Sequence, residues 1–407
     1  MGFNPLEEKG IAPEEQVMNW GQMNVQPYDK HTVDPYTRCR IILMNGAEYE
    51  AVWFGHQFAR HCLDMDIKQK LALSRRIEQQ QQKMINCLIP GDESVLENTL
   101  GYEQVAVDLT AWLARTEPDP VVKDALDFAL LEDFDHLYRY ANLLEMMEGK
   151  DPSDIVGDYT EIFPGRPTVE EHRHPFDEIR RHYDKDTADI ITKMHVCTIV
   201  AAEQQTMNYY MNSCNRPELM LARGLYQEIG MVEEQHVTHY ESLADPRMTW
   251  FEHLLIHEYN ECYLYWSCMQ TETDERIKRI WEHCLDCEIG HLHEAAEMMQ
   301  RYEGRSAESI LPAAFPELTK FQSNKEYVRD VLASQVDLTA VGTDYVPVSE
   351  LPSDARYFKY QLMVNEDCRV PSVQVIEDHL GQFGGEYRLS TEGEHPVERL
   401  REQQAAR

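Results

Sequence analysis

Residues 203–236, EQQTMNYYMNSCNRPELMLARGLYQEIGMVEEQH, begin with a lone glutamate and end with the motif Glu-x-x-His. Glu, Gln, Leu and Met are frequent in this stretch, and apolar residues recur at three- and four-residue spacing, which predicts two helices. The sequence Asn-Arg-Pro at 215–217 interrupts them, because proline rarely continues a helix. Roughly 13 residues on each side of the break rise about 20 Å. The stretch therefore predicts an antiparallel hairpin in which Glu203 faces Glu233 and His236.

A lone Glu is followed by an acidic residue, at the interval that separates Glu203 from Glu233, four times along the chain. In three of these copies the acidic residue begins the motif acid-x-x-His. The other copies are Glu258 with Glu288 and His291, Glu103 with Asp133 and His136, and Glu48 with Glu78, where Gln81 takes the histidine position. Residues i and i+3 lie on one face of a helix, so the two polar side chains of each motif point the same way. We therefore predict that these side chains face the interior of helical bundles.

An internal repeat relates the first two motifs to the last two. The shift that aligns Glu48 with Glu203 also aligns Gln81 with His236, and it aligns the breaks without a gap; we call it the repeat shift. The chain is divided accordingly into an N-terminal extended segment 1–45, a first helical repeat 46–150, a linker 151–185, a second helical repeat 186–304 and a C-terminal extension 305–407. The segments outside the repeats are richer in Pro, Gly and Asp, which is typical of extended wrapping chain.

Inward-facing carboxylates at these positions indicate bound cations. Burial of an unpaired carboxylate carries a desolvation cost of several kcal/mol, and two divalent cations would neutralise four carboxylates. Carboxylate oxygen together with imidazole nitrogen suits iron or manganese. The candidate metal ligands are Glu48, Glu78, Glu103, Asp133, His136, Glu203, Glu233, His236, Glu258, Glu288 and His291.

This pattern resembles that of the ferritin-like dinuclear carboxylate superfamily, which includes ferritins, rubrerythrins, manganese catalases and di-iron oxygenases. Those proteins share a Glu from each of two helices and a Glu-x-x-His from each of two others. The resemblance covers the helical parts, a little over half of the chain. It implies an all-α fold of two tandem ferritin-like four-helix units with extended N-terminal, central and C-terminal wrapping segments. It also implies two iron ions, two manganese ions or a mixed manganese–iron pair per complete site.

The second repeat matches the superfamily pattern at each position, whereas the first departs from it twice. Asp133 is one methylene shorter than Glu and still allows coordination. Gln81 stands in the place of histidine and is a poor ligand. A site that relies on Glu48, Glu78 and Gln81 is therefore expected to hold one metal, a weakly bound metal or none.

The sequence leaves open which hairpins meet. In ferritin-like bundles a long crossover joins the second and third helices, but here Glu233 and Glu258 are too close in sequence for one, and Ala-Asp-Pro at 244–246 interrupts the stretch between them. A complete site is therefore expected to combine hairpins from both repeats. The first hairpin could face the third and the second the fourth, or the second could face the third across the 137–202 connection.

Several neighbours of the motifs are candidates for supporting roles. Glu132, Asp135 and Glu234 could accept a hydrogen bond from a metal-bound histidine, although surface positions are favoured for each. Core packing is favoured for Tyr102, Tyr209, Tyr210, Tyr259 and Tyr263, and a structural role for His257.

The acidic composition argues against two classes of anionic partner. The chain has 72 acidic and 38 basic residues, a net charge of -34, so neither nucleic acid nor anionic lipid is expected as a general partner. No stretch approaches the roughly 18 apolar residues of a membrane span, and the N-terminus lacks the apolar core of a secretory signal. The ten scattered cysteines predict reduced thiols and a cytoplasmic location, with Cys284 and Cys287 as buried apolar side chains.

By the resemblance, the expected function is that of a non-haem di-iron or di-manganese oxidase, oxygenase or peroxidase. Dioxygen or peroxide would react with an unidentified small-molecule substrate, with electrons from a donor protein where reduction is needed. The alternatives are a ferroxidase or iron-storage protein and a non-catalytic metal-binding scaffold. No catalytic residue is assigned, and a homodimer is left open, because a fold alone does not define a reaction.

Overall fold

A computed structural model of the chain describes residues 2–366, 368–385 and 394–401. These residues are predominantly helical, which confirms the predicted all-α class. In chain order the α-helices are α1 (Trp20–Met23), α2 (Pro35–His61), α3 (Met65–Asn86), α4 (Val95–Thr116), α5 (Pro120–Glu148), α6 (Ser153–Val156), α7 (Thr168–Glu171), α8 (Ile190–Ser213), α9 (Met220–Glu241), α10 (Trp250–Thr271), α11 (Glu275–Glu303), α12 (Lys325–Gln335), α13 (Arg356–Asn365) and α14 (Pro371–Phe383). Strands β1 (Leu338–Val341) and β2 (Asp344–Pro347) pair antiparallel, with Leu338 opposite Pro347.

The helix boundaries reproduce the internal repeat. Helices α3, α4 and α5 recur as α9, α10 and α11, and the repeat shift superimposes both ends of each pair. The capping residues repeat as well: Asp119 caps the first turn of α5, and Asp274 caps that of α11. Gly149 and Gly304 end the same two helices with φ of 63° and 68°, a conformation that glycine adopts without strain. The internal repeat is therefore present in the structure as well as in the sequence.

The first long helix starts earlier than the predicted repeat. Helix α2 begins at Pro35, inside the segment 1–45 that was expected to be extended. Asp34 caps its first turn, and Pro35 supplies the fixed φ that suits a first helical position. The C-terminal extension 305–407 carries α12–α14 and the β-hairpin in its described residues, and part of it lies outside them.

The chain forms two compact units, each assembled from three segments. Unit 1 comprises 1–92, 184–202 and 245–321, and unit 2 comprises 93–183, 203–244 and 322–407. Unit 1 therefore contains the hairpins α2–α3 and α10–α11, and unit 2 contains α4–α5 with α9. Helix α8 contributes its first part to unit 1 and its remainder, from Glu203, to unit 2. Each unit thus combines one hairpin of the first repeat with helices of the second. The two units therefore do not coincide with the contiguous repeats 46–150 and 186–304.

Helix α5 is the central helix of unit 2. Its residues from Ala125 to Leu144 are buried without interruption, so its polar side chains are enclosed along with its apolar ones. Apolar residues of α4, α9, α12 and α14 pack on it, among them Leu100, Ile229, Leu332 and Val375. In unit 1, α11 buries one face, where Trp281 and Leu292 are fully enclosed. Both helices carry an acid-x-x-His motif into a core.

Candidate metal centres

Six ligand-type side chains of unit 2 converge in its core. Asp133, Glu203, Glu233 and His236 form one group, and Glu103, His136 and Glu233 form a second. Within each group the ligand atoms lie within 4.8 Å of one another, and all six side chains are buried. The two groups share Glu233, as expected for two ions joined by one carboxylate. We call these six residues the unit-2 centre.

The shared Glu233 presents one oxygen to each histidine. Its Oε1 lies 3.1 Å from Nδ1 of His136, and its Oε2 lies 3.4 Å from Nδ1 of His236. The same nitrogen of His236 is 3.2 Å from Asp133 and 3.6 Å from Glu203. Both imidazoles therefore direct Nδ1 into the centre, on opposite sides of Glu233.

The other nitrogen of each ring is held by a carboxylate outside the centre. Nε2 of His236 lies 2.9 Å from Glu132, and Nε2 of His136 lies 2.9 Å from Glu171. Such partners orient a metal-bound histidine and fix the proton on the outer nitrogen. Glu132 is fully buried, so the expectation of a surface position is wrong. Glu171 lies in the linker, a segment to which the sequence assigned no site.

Two arginines from the linker balance the charge of Glu132. Arg166 Nη1 donates to it at 2.8 Å, and Arg173 donates through both terminal nitrogens. Burial alone would raise the pKa of Glu132, but the charge of Arg173, the hydrogen bond to His236 and the charge of Arg166 hold that pKa well below its ordinary value. Gly165 allows this close packing, because a Cβ there would lie 2.4 Å from the carbonyl oxygen of Leu131.

Replacing Glu132 with glutamine should destabilise the protein by about 3–5 kcal/mol, because two buried guanidinium groups then lose their anionic acceptor. Metal affinity at His236 should fall by about 10- to 100-fold. Urea unfolding and metal titration would measure the two effects. Glu145→Gln is the matched control, since Glu145 also accepts from a histidine, His379 at 2.7 Å, outside the centre. Unchanged stability in Glu132→Gln would contradict the assigned charge balance.

Unit 1 contains a second centre with the same plan. Glu78, Glu258, Glu288 and His291 form one group, and Glu48, Glu78 and Glu261 form another. The shared residue is now Glu78, which the repeat shift aligns with Glu233. Nδ1 of His291 lies 2.9 Å from Glu288 and 3.0 Å from Glu78. We call these six residues the unit-1 centre.

The unit-1 centre has a carboxylate where the unit-2 centre has an imidazole. Gln81 lies in the histidine position and donates a hydrogen bond to Glu288. Glu261, which the sequence analysis missed, enters the group with Glu48 and Glu78 instead. The available signal was the spacing of Glu258 and Glu261, since residues i and i+3 share a helix face.

The pairing of hairpins is settled by these contacts within each unit. The second hairpin meets the third in the unit-2 centre, as one of the two alternatives proposed. The first hairpin meets the fourth in the unit-1 centre. The other alternative, with the first facing the third and the second facing the fourth, is wrong. A long connection between α5 and α8 lets the chain reach from one hairpin to the next in unit 2.

In each centre a tyrosine donates a hydrogen bond to one of the lone glutamates. Tyr210 donates to Glu103 in unit 2, and Tyr265 donates to Glu48 in unit 1. Each tyrosine lies two helical turns after the lone glutamate of its own helix, Glu203 or Glu258, so the arrangement follows the pseudo-symmetry of the hairpins. Core packing was favoured for Tyr210, and Tyr265 was not considered. Both tyrosines are buried and hydrogen-bonded to a candidate ligand.

The remaining candidates have roles outside the groups. Asp135 accepts from Arg139 and from the linker backbone at Gly165 and Thr168. Glu234 is half-buried and accepts from Thr238. His257 is buried, donates to Glu50 through Nε2 and has Nδ1 3.6 Å from Glu261.

The donor set fits metal ions. Several buried ligand oxygens accept no hydrogen bond from any residue that the structure describes; they are both oxygens of Asp133, Glu203 and Glu261 and one oxygen each of Glu48, Glu78, Glu103, Glu233 and Glu258. Burial raises the pKa of Glu258 to about 8, helped by the charge of Glu78. Buried acceptors left without donors are unfavourable. Cations at these positions would satisfy them.

The shared carboxylates differ from the others in their protonation. Burial would raise the pKa of Glu233, but the hydrogen bond from His136 and the nearby imidazoles of His136 and His236 lower it to about 2. The pKa of Glu78 is likewise below its ordinary value, because the charge and hydrogen bond of His291 outweigh burial. By contrast, burial raises the pKa of Glu48 and of Glu203 well above the ordinary value. In each centre the carboxylate that both groups share therefore has a lowered pKa.

Comparisons of the chain with family models, with curated proteins and with solved structures found no match. Within the described ranges, no helix combines the length and the apolar character that crossing a bilayer requires.

Proposed function

We propose that the chain is a non-haem iron or manganese oxidoreductase of the ferritin-like type, which acts with dioxygen or peroxide at dinuclear centres. The observation that carries the proposal is the unit-2 centre, where two buried groups of ligand atoms share Glu233. Its composition, four carboxylates and two imidazoles from four helical segments, is the set expected of ferritin-like di-iron proteins. Four carboxylates also balance the charge of two divalent ions.

The residues of the unit-2 centre have distinct roles in this proposal. Glu233 would help to hold both ions, and His136 and His236 would each hold one, since both present Nδ1 to the centre. Glu132 and Glu171 hold the outer protons of the two rings, which keeps Nδ1 free to bind. Tyr210 holds Glu103 in place. Iron or manganese, when bound, would supply the electrons and the Lewis acidity for reaction with the oxidant.

The burial of the centre favours a small oxidant. Glu103, Asp133, His136, Glu233 and His236 are each 0% exposed. Enclosure excludes bulk water and strengthens the electrostatic effect of each fixed charge. A diatomic or peroxide-sized molecule fits such an enclosed centre better than a bulky substrate does. The substrate class itself stays undefined in this proposal.

Metal-free protein loaded with Fe²⁺ under anaerobic conditions should oxidise that iron when dioxygen or hydrogen peroxide is added. Optical absorption and oxidant consumption would follow the reaction, with ascorbate as reductant for repeated turnover. Glu234→Gln, outside the centre, should react like the unaltered protein. Tight iron binding without reaction with either oxidant would instead favour a non-catalytic metal-binding scaffold. Iron uptake far beyond the four groups of ligand atoms would favour a ferroxidase or storage protein.

A further inference from the structure

One of the candidate metal positions contains no histidine. Among the residues that the structure describes, three of the four groups include an imidazole, and the group of Glu48, Glu78 and Glu261 does not. Its three side chains are at most 1% exposed, so they are removed from water. An all-carboxylate group deep in a core differs chemically from the other three.

Three departures between the repeats concern this position or its immediate surroundings. The repeat shift aligns Gln81 with the metal-facing His236, Cys287 with Glu132, and Glu261 with Ala106. The histidine and the carboxylate that holds its outer nitrogen in unit 2 are thus both absent from unit 1. Unit 1 instead has an additional carboxylate, Glu261, in the group with Glu48 and Glu78. Loss of one histidine alone would leave a defective site, whereas the three changes together give a site of different chemistry.

The carboxylate of Glu261 is enclosed in the core without a hydrogen-bond donor from the described residues. Its side chain is 0% exposed, and neither oxygen accepts a hydrogen bond in the described part of the chain. The nearest cationic group is His257, whose Nδ1 is 3.6 Å away and whose Nε2 donates to Glu50. One oxygen of Glu48 and one of Glu78 are likewise without a donor. One oxygen from each of these three carboxylates, on three helices, lies within 4.8 Å of the other two.

We infer that the Glu48–Glu78–Glu261 position binds a hard divalent cation, of the manganese, magnesium or calcium class, and has a weaker preference for Fe²⁺ than the three positions that contain an imidazole. Oxygen-only ligand sets suit these cations, whereas imidazole favours iron and the later transition metals. The unit-1 centre would then hold a mixed pair, with iron at the His291 position and the hard cation beside it. The unit-2 centre would hold two like ions. This inference rests on the proposed dinuclear centres, not on the reaction with an oxidant.

Full-length metal-free protein, mixed anaerobically with Fe²⁺ and a large excess of Mn²⁺ and then desalted, tests the inference. Elemental analysis should give about three iron ions and one manganese ion per chain, following the three histidine-containing groups and the one without. Electron paramagnetic resonance should show the bound Mn²⁺. Separate competition by Mg²⁺ and by Ca²⁺ identifies which hard cation binds best.

Two variants define the position. Glu261→Gln, close to isosteric, should lose the manganese and retain the iron, and Glu252→Gln on the same helix is the control that should retain both. Gln81→His supplies the missing imidazole and should replace the manganese with a fourth iron. Folding of Glu261→Gln can be checked by circular dichroism, and Gln81→His carries the test if that variant fails to fold.

Manganese spread evenly over all positions, or loss of iron instead of manganese in Glu261→Gln, would overturn the inference. A three-to-one metal ratio without any reaction with oxidant would leave the inference standing and refute the proposed function. Binding of no metal by the unaltered protein would refute both.

Discussion

Replacing Glu233 with alanine is expected to remove both metal ions of the unit-2 centre at once. The reason is that its two oxygens face different histidines, at 3.1 and 3.4 Å, and both groups of ligand atoms include it. Each remaining group would keep terminal ligands but lose the anion between the ions. Elemental analysis after desalting should show a loss of about two ions per chain, while the unit-1 centre keeps its metal.

Two further variants separate this effect from a general loss of fold. Glu234→Gln, on the adjacent half-buried residue, should retain full metal content. Glu203→Ala should reduce the binding of one ion, because Glu203 belongs to one group alone. Loss of a single ion in Glu233→Ala would show that this carboxylate is a terminal ligand. Loss of metal from unit 1 as well would show that the two centres depend on each other.

The helical hairpins could be predicted because their signals are local. Apolar spacing, the breaks between helices and the internal repeat together predicted long helices that the structure shows, although α2 begins at Pro35, before the predicted repeat. The interval between Glu203 and Glu233 also fixed their heights along the hairpin, since helical rise per residue is constant. Both residues lie in one group, as that argument requires.

The pairing of hairpins could not be decided in the same way. Helix rise fixes the depth of a ligand along its own hairpin, but it carries no information about which hairpin lies opposite. The residues between His136 and Glu203 are numerous enough to reach either partner. The deciding contacts, such as that between Asp133 and His236 at 3.2 Å, join residues about a hundred positions apart.

The supporting residues were missed because no periodic pattern marks them. Glu132 precedes the candidate ligand Asp133 on α5, and successive residues of a helix lie about 100° apart around its axis. The sequence therefore predicts a surface position for Glu132. It is buried because Arg166 and Arg173, from an irregular linker, cover that side of the helix. Glu261, in contrast, shared a helix face with Glu258 and could have been found by testing every acid at that spacing.

The metal-free protein is expected to lose stability as the pH rises from about 5.5 to 8. Burial raises the pKa of Glu258 to about 8, so its folding contribution is present below the ordinary carboxyl pKa and is lost as the pH rises through 8. Burial likewise raises the pKa of Glu261 and of Glu203. A tenfold change in proton affinity corresponds to about 1.4 kcal/mol. Urea unfolding at the two pH values should therefore differ by several kcal/mol.

Bound metal should reverse the sign of this dependence. Cations bind the ionised carboxylates and the neutral imidazole nitrogen, so each ion that binds releases protons and is held more tightly at higher pH. Ligand binding adds to the free energy of unfolding by RT ln(1 + [L]/Kd), which here grows as protons are withdrawn. The loaded protein should thus be more stable at pH 8 than at 5.5, and Glu258→Gln should weaken the pH dependence of the metal-free form. Curves with the same slope for both forms would mean that the carboxylates of the two centres do not exchange protons for metal.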